Sequence, residues 1–169
     1  MSTKISKWVS TIRYSSIMTT TSYINTFTSS VEGFIGAFPC DKIPTANKRM
    51  KKYSIIVNLD TSQEAGSHWV ALLVKNKTVY YYDPLGHKNN NEYITSYMNK
   101  FTIRLYNKQQ IQSKLSDYCG LYCLAFIIHS NDCISPINKF NAMFCNTLPL
   151  LQFNDHIVVQ YLISILSNS

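Results

Sequence analysis

Cys119 is followed at once by Gly120 and opens the run Cys-Gly-Leu-Tyr-Cys-Leu-Ala-Phe, apolar on nearly every side. A thiol is a useful nucleophile only as thiolate. A neighbouring imidazolium favours that form, and so does the partial positive charge at a helix N-terminus. The run predicts a buried helix from Cys119 to His129, which would supply the second device. Gly120 leaves open backbone where a substrate carbonyl can approach. On its own, Cys-Gly is more often part of an inert core. Its company changes the reading: His68 within Gly-Ser-His-Trp, Asp83 within Asp-Pro-Leu-Gly, and Gln112 seven residues before the thiol. A thiol, an imidazole, a carboxylate and an amide, each on a separate element, can perform acyl transfer.

His68 stands between two small residues and an apolar run opening at Trp69, so the imidazole belongs at a strand edge facing a cleft. His129 lies about 15 Å along the helix from Cys119 by helical rise, too far to act as base. His87 follows a turn and His156 opens a C-terminal helix; both read as surface or capping residues. Asp83 ends the run Thr78 to Tyr82, which a short turn at Lys75-Asn76-Lys77 pairs with the strand starting near His68. Outer ends of paired strands are neighbours, so Asp83 can orient the imidazolium. Asp-Pro-Leu-Gly is equally a β-turn, and Asp60 and Glu64 are fallback carboxylates. The Gln112 side-chain amide, with the Cys119 N–H, could hold an oxyanion; Gln109 and Gln110 are rivals. Trp69 and Gly120 are the candidate substrate contacts, and no metal-ligand pattern is present. Cys40, Cys123, Cys133 and Cys145 read as core or incidental free thiols.

A chain of 169 residues with 46% hydrophobic and 15% charged residues suits one domain spanning 1–169, with 1–20 as a loose Ser/Thr-rich arm. No apolar stretch is long enough to span a bilayer, and the N-terminus lacks an apolar signal core, so use inside a cell is expected. The net charge of +7 suits a polyanion. Lys48, Arg49, Lys51 and Lys52 are its densest cluster and the candidate DNA contacts; a solvated basic face is the plainer account.

The elements that must position these groups follow from periodicity. A short helix is expected within Thr21–Phe34 on Tyr23, Ile24, Phe27 and Val31, then a turn-rich passage to Pro44. Strands are expected at 53–59, 69–74 and 78–82, a helix at 92–100, and a half-buried strand at 101–106. After the helix at Cys119, others should run from Pro136 through Phe144 and start at Asp155, the latter as cap, with Ile157, Val158, Tyr161, Leu162 and Ile165 facing inward. Strands followed by helices make an α+β domain.

Gly-Ser-His-Trp-Val-Ala-Leu, then Tyr-Tyr-Tyr-Asp-Pro-Leu-Gly, then Gln, then Asp-Tyr-Cys-Gly-Leu-Tyr-Cys, over roughly residues 34–130, resembles the adenovirus-type cysteine protease (adenain). More distantly it resembles the SUMO proteases of the same superfamily. Phe34-Ile-Gly-Ala-Phe is similar to that family's segment before the sheet. The resemblance implies a papain-like fold, with a central mixed β-sheet flanked by helices and the nucleophile at the start of a buried helix. It implies His68 as base, Asp83 as orienting acid, Gln112 as oxyanion donor and Cys119 as nucleophile. The seven-residue Gln–Cys interval matches the adenoviral branch; SUMO proteases usually have six.

It further implies cleavage at Gly-Gly or Gly-x-Gly sites in viral precursor proteins, by a monomer without a cofactor, in the virion or host nucleus. Activation by DNA, or by a viral peptide held through a disulfide, would follow too. No cysteine lies between Cys40 and Cys119, where that peptide's partner thiol is expected, and Asp replaces the Glu of adenain. The competing readings are a SUMO-type deconjugase, a related acyltransferase, and a non-catalytic nucleic-acid-binding protein.

Overall fold

The runs Tyr53–Val57 and Trp69–Val74 carry apolar residues at odd and even positions alike, which suits strands covered on both faces. In a computed structural model they are the two central strands of a mixed five-stranded sheet. The structure describes residues 21–27, 31–46, 50–130 and 133–167. The expected arm at 1–20, and Lys48 and Arg49, lie outside the described residues.

The sheet order is β1 (Phe34–Pro39), β2 (Lys52–Asn58), β3 (Trp69–Lys75), β4 (Thr78–Tyr82), β5 (Ile103–Tyr106). The β2–β3 and β3–β4 pairs are antiparallel, and the two outer pairs are parallel. Trp69, Ala71, Leu73, Ile56 and Tyr82 join one core with α3 (Cys119–Ser130). Val70, Leu72, Val74, Ile55, Val57 and Tyr81 face the other way and pack with Ile94, Tyr97 and Met98 of α2 (Glu92–Met98). The alternation of β2, β3 and β4 therefore feeds two cores.

Helix α3 is apolar nearly all round because it is covered nearly all round: Cys119 through Ile127 are all buried. Tyr82 stacks on Phe126 at 4.3 Å between ring centroids, with Phe140 of α4 (Pro136–Asn141) edge-on to both. Lys75 Nζ donates to the carbonyls of Ser130 (2.6 Å) and Cys133 (2.8 Å), placing a cation at the negative end of α3. Val158 and Leu162 of α5 (Asn154–Ser167) are fully buried, while Ile157, Tyr161 and Ile165 are half-buried.

Four expectations are corrected. The first helix is α1 (Thr21–Phe27), and Phe34–Pro39, within the extended passage expected to be turn-rich, is strand β1. Gly33, at φ 75°, turns the chain there and its carbonyl accepts from Ser54 N. The strand within 101–106 is not half-buried, because all four residues of β5 are exposed. Its Ile/Leu alternation is real, but β5 is the sheet edge and neither of its faces is buried among the described residues. The helix starting at Pro136 stops at Asn141, where the N–H groups of Met143 and Phe144 bond three residues back and tighten the chain. Asp155 does not cap α5. Asn154 begins that helix, and the Asp155 carboxylate turns inward.

Candidate active site

A thiol, an imidazole and a carboxylate meet where α3 begins beside the ends of β3 and β4. The β3–β4 ladder closes with Ala71 opposite Tyr82, so His68 just before β3 and Asp83 just after β4 emerge at the same edge. His68 Nε2 lies 2.8 Å from Asp83 Oδ1. The same Oδ1 accepts the Leu85 N–H at 2.8 Å, which locks the carboxylate in plane. Asp83 is fully buried. Its Oδ2 has no hydrogen-bond partner among the described residues, and Nδ1 of the exposed His87 is 4.0 Å from it.

Cys119 is the first residue of α3 and is buried. With Nε2 of His68 turned to Asp83, Nδ1 is the nitrogen left for a thiol, and Cys119 is near enough to act on the charge of the ring. Burial alone would lower the His68 pKa, but the hydrogen bonds to Asp83 and then Cys119, with their negative charges, raise it to about 9. The imidazolium thus persists through neutral pH. First-turn N–H groups of an α-helix have no acceptor within it, so those beside Cys119 are of the kind that can hold an oxyanion.

The turn that ends in Gly86 carries the acid and also holds the loop that carries Gln112. The Pro84 carbonyl accepts from both Ile111 N (2.9 Å) and Gln112 N (3.0 Å). Buried Asn107 donates to the Asp83 carbonyl at 2.7 Å and to the Gln109 carbonyl at 2.9 Å, and Asn141 donates to Asn107 Oδ1. Asn154 likewise holds the Ile111 carbonyl. Gly86 sits at φ 69°, and a Cβ there would lie 2.8 Å from backbone atoms of Gln109 and Gln110. Gly86→Ala should therefore cost about 1–3 kcal/mol through strain and contact. It should also displace the Gln112 loop, which urea unfolding paired with a thiol-labelling rate would read.

Gln112 is 1% exposed, and its Nε2 donates to the Ser116 carbonyl at 2.7 Å. An amide nitrogen carries two hydrogens, and Ser116 Oγ lies 3.4 Å from the same nitrogen, so an oxyanion would have to displace that long contact. The rivals turn elsewhere: Gln110 donates to the Gln112 carbonyl, and Gln109 meets Asn141. Asp60 and Glu64 are engaged by Ser67 and Thr61, away from the imidazole.

A cleft of about 720 Å³ runs past His68, Gln112 and Cys119. Trp69 lines it although the residue is mostly buried in the core; Gly120 is buried in the first turn of α3 and does not line it. Lys51 and Lys52 sit at the far end of β2 from the cleft, roughly 20 Å away by strand rise. His129 packs on Tyr161 and His156 is exposed, away from the thiol as expected. Cys123 is fully buried, donates to the Trp69 carbonyl, and has its thiol pKa pushed up by burial, which leaves it inert. Asn107, Ser116 and Tyr122 carried no signal for these contacts in the sequence, and Asp155 read only as a helix cap.

Sheet and cleft together define an α+β chain with a thiol–imidazole–carboxylate centre. The family model of the adenovirus endoprotease matches residues 34–105, which is the sheet and stops short of Gln112 and Cys119. The chain is similar to the protease of bovine adenovirus 7, with 31% identity over 56% of the chain and 54% of the relative. It is similar to the protease of snake adenovirus serotype 1, with 27% identity over 69% and 64%. A protein of Acanthamoeba polyphaga mimivirus provisionally named a thiol protease shares 34% identity over 74% and 48%. The chain spans about half to two thirds of the length of these relatives.

Proposed function

We propose that the chain is a cysteine endopeptidase of the adenovirus type, a single domain of papain-like build that matures viral precursor proteins at Gly-Gly or Gly-x-Gly sites. The observation that carries this reading is His68 bonded to Asp83 and sharing one cleft with a thiol at a helix start. Similarity to adenoviral proteases supports the substrate class.

The Cys119 thiolate attacks the glycyl carbonyl carbon, forming the C–S bond and pushing charge onto oxygen. The Gln112 amide and the Cys119 N–H hold that oxyanion. As the C–N bond breaks, the His68 imidazolium gives its proton to the leaving amine. Water, deprotonated by His68, then attacks the thioester, and the thiolate departs as the new C-terminal carboxyl is freed. Asp83 keeps the ring oriented and its cationic form stabilised throughout.

The test is incubation of the full chain with peptides carrying a central Gly-Gly, against the same peptides with Ala-Ala, followed by mass spectrometry. Cleavage after glycine, together with vinyl sulfone labelling of Cys119, is the expected result. Absence of both cleavage and labelling would overturn the proposal. Processing restricted to folded SUMO or ubiquitin precursors would move the chain to the deconjugating branch.

A further inference from the structure

Asp155 lies 36 positions beyond Cys119 in the chain, yet one of its oxygens joins the two halves of the candidate site. Its Oδ1 accepts the Ser116 hydroxyl at 3.0 Å and the Tyr122 hydroxyl at 2.8 Å. Tyr122 lies on α3 one turn beyond Cys119, with its body fully buried. Ser116 lies in the loop before that helix. Its carbonyl takes the Gln112 Nε2 hydrogen at 2.7 Å, and its Oγ accepts the Tyr118 N–H at 3.3 Å. A single carboxylate oxygen on α5 therefore sets the spacing between the helix that carries the thiol and the loop that holds the amide.

We propose that Asp155 is a positioning residue of the oxyanion site, tying the Cys119 helix to the Gln112 loop through Tyr122 and Ser116. This rests on the proteolytic reading above for its consequence, not for its geometry. A carboxylate suits the task because ionised oxygens accept short, strong bonds from hydroxyls. Two donors arriving from different elements triangulate it. The site also costs the group something: burial raises the Asp155 pKa, against the lowering by the Tyr122 and Ser116 hydroxyls. A half-buried carboxylate facing inward is a costly way to decorate a surface helix, whereas a joint between two moving parts gains from its strength. Ser116, Gln112 and Cys119 all line the same cleft, so any slack in the joint is felt where the oxyanion forms.

The experiment compares the full chain with Asp155→Ala, Asp155→Asn and Tyr122→Phe on a cleavable Gly-Gly peptide. Losing a well-placed oxyanion donor costs on the order of 100-fold in kcat, and loosening one costs less. Asp155→Ala should lower kcat by about tenfold with KM within about twofold. Iodoacetamide alkylation of Cys119 needs the thiolate but no oxyanion donor, so its rate should hold within about twofold. Asp155→Asn keeps an acceptor oxygen and should recover most of the loss; Tyr122→Phe, which cuts one arm, should fall between. The Gln112 side-chain amide signal in a 15N NMR spectrum should move in Asp155→Ala and return in Asp155→Asn.

An unchanged kcat and an unmoved Gln112 signal in Asp155→Ala would overturn the inference. So would a parallel fall of kcat, alkylation and melting temperature that Asp155→Asn fails to reverse, because that pattern marks a merely structural residue. A wild-type chain that cleaves nothing would instead remove the proteolytic reading, and the Gln112 signal would still decide the positioning role.

Discussion

Replacing Cys119 by alanine should reduce peptide cleavage to background while the chain keeps its fold. Among the described residues that line the cleft, Cys119 is the nucleophile that acts on the His68 ring, and in the acyl-enzyme reading the remaining groups only assist it. In triads of this kind, losing the nucleophile costs about as much as losing the whole triad, on the order of 10⁶-fold in kcat. The structural cost is small by comparison. Cys119 is 6% exposed at a helix start, and alanine trades a sulfur for a small void while favouring the helix. A loss within about 1 kcal/mol is expected, measured by urea unfolding. Cys119→Ser keeps the shape and a hydrogen-bonding group, but its hydroxyl ionises far less readily, and it should be equally inactive. Both variants should also lower the His68 pKa, since Cys119 is one of the partners that raise it. A histidine-resolved NMR titration reads that directly. Cleavage that persisted in Cys119→Ala would make the thiol a bystander and remove the acyl-enzyme.

The parts of this site that could be read from sequence share a feature: each was announced by its immediate neighbours. Strand β4 was placed to the residue because Thr78–Tyr82 alternates between two polar turns. The helix start at Cys119 was marked by the switch from Ser-Asp-Tyr to an unbroken apolar run. The His68–Asp83 pairing followed from a hairpin, whose register is fixed by its turn, with Asn76 at φ 55°. What sequence hid was set by distant contacts. β5 alternates as a half-covered strand does, and only the sheet order shows that it is an exposed edge. Phe34–Pro39 contains Gly and Pro, and becomes a strand because β2 lies alongside to pair with it. Asp155 matches the local pattern of a helix cap, and its true partners lie 39 and 33 positions away. The double use of the Asp83–Gly86 turn, which presents the acid and grips the Gln112 backbone, was likewise invisible. A turn motif encodes its own bend but not the chain that docks on it.

His68→Ala should lose activity and stability together, and the pH dependence of the second loss is its signature. Without the imidazole the thiolate keeps only the helix N-terminus, and the leaving amine loses the acid paired with the nucleophile, so cleavage should fall by on the order of 10⁴-fold or more. The stability argument runs through Asp83. That carboxylate is fully buried; the change would leave it the Leu85 N–H and nothing of opposite charge in contact. Stranding one member of a buried pair costs about 3–5 kcal/mol. In the intact protein His68 titrates at about 9 when folded, against an ordinary value of 6.5, so folding binds its proton more tightly. Its contribution is therefore fully present below about pH 6.5 and is lost as pH rises through about 9. That shift is worth on the order of 3 kcal/mol. Urea unfolding of the parent chain should show stability declining between those limits, and His68→Ala should flatten that decline. Adding Asp83→Ala to His68→Ala should recover part of the lost stability and none of the activity, because the stranded charge goes while the catalytic proton does not return. A single variant as stable as the parent at pH 6 would mean that the His68–Asp83 contact is not an ion pair.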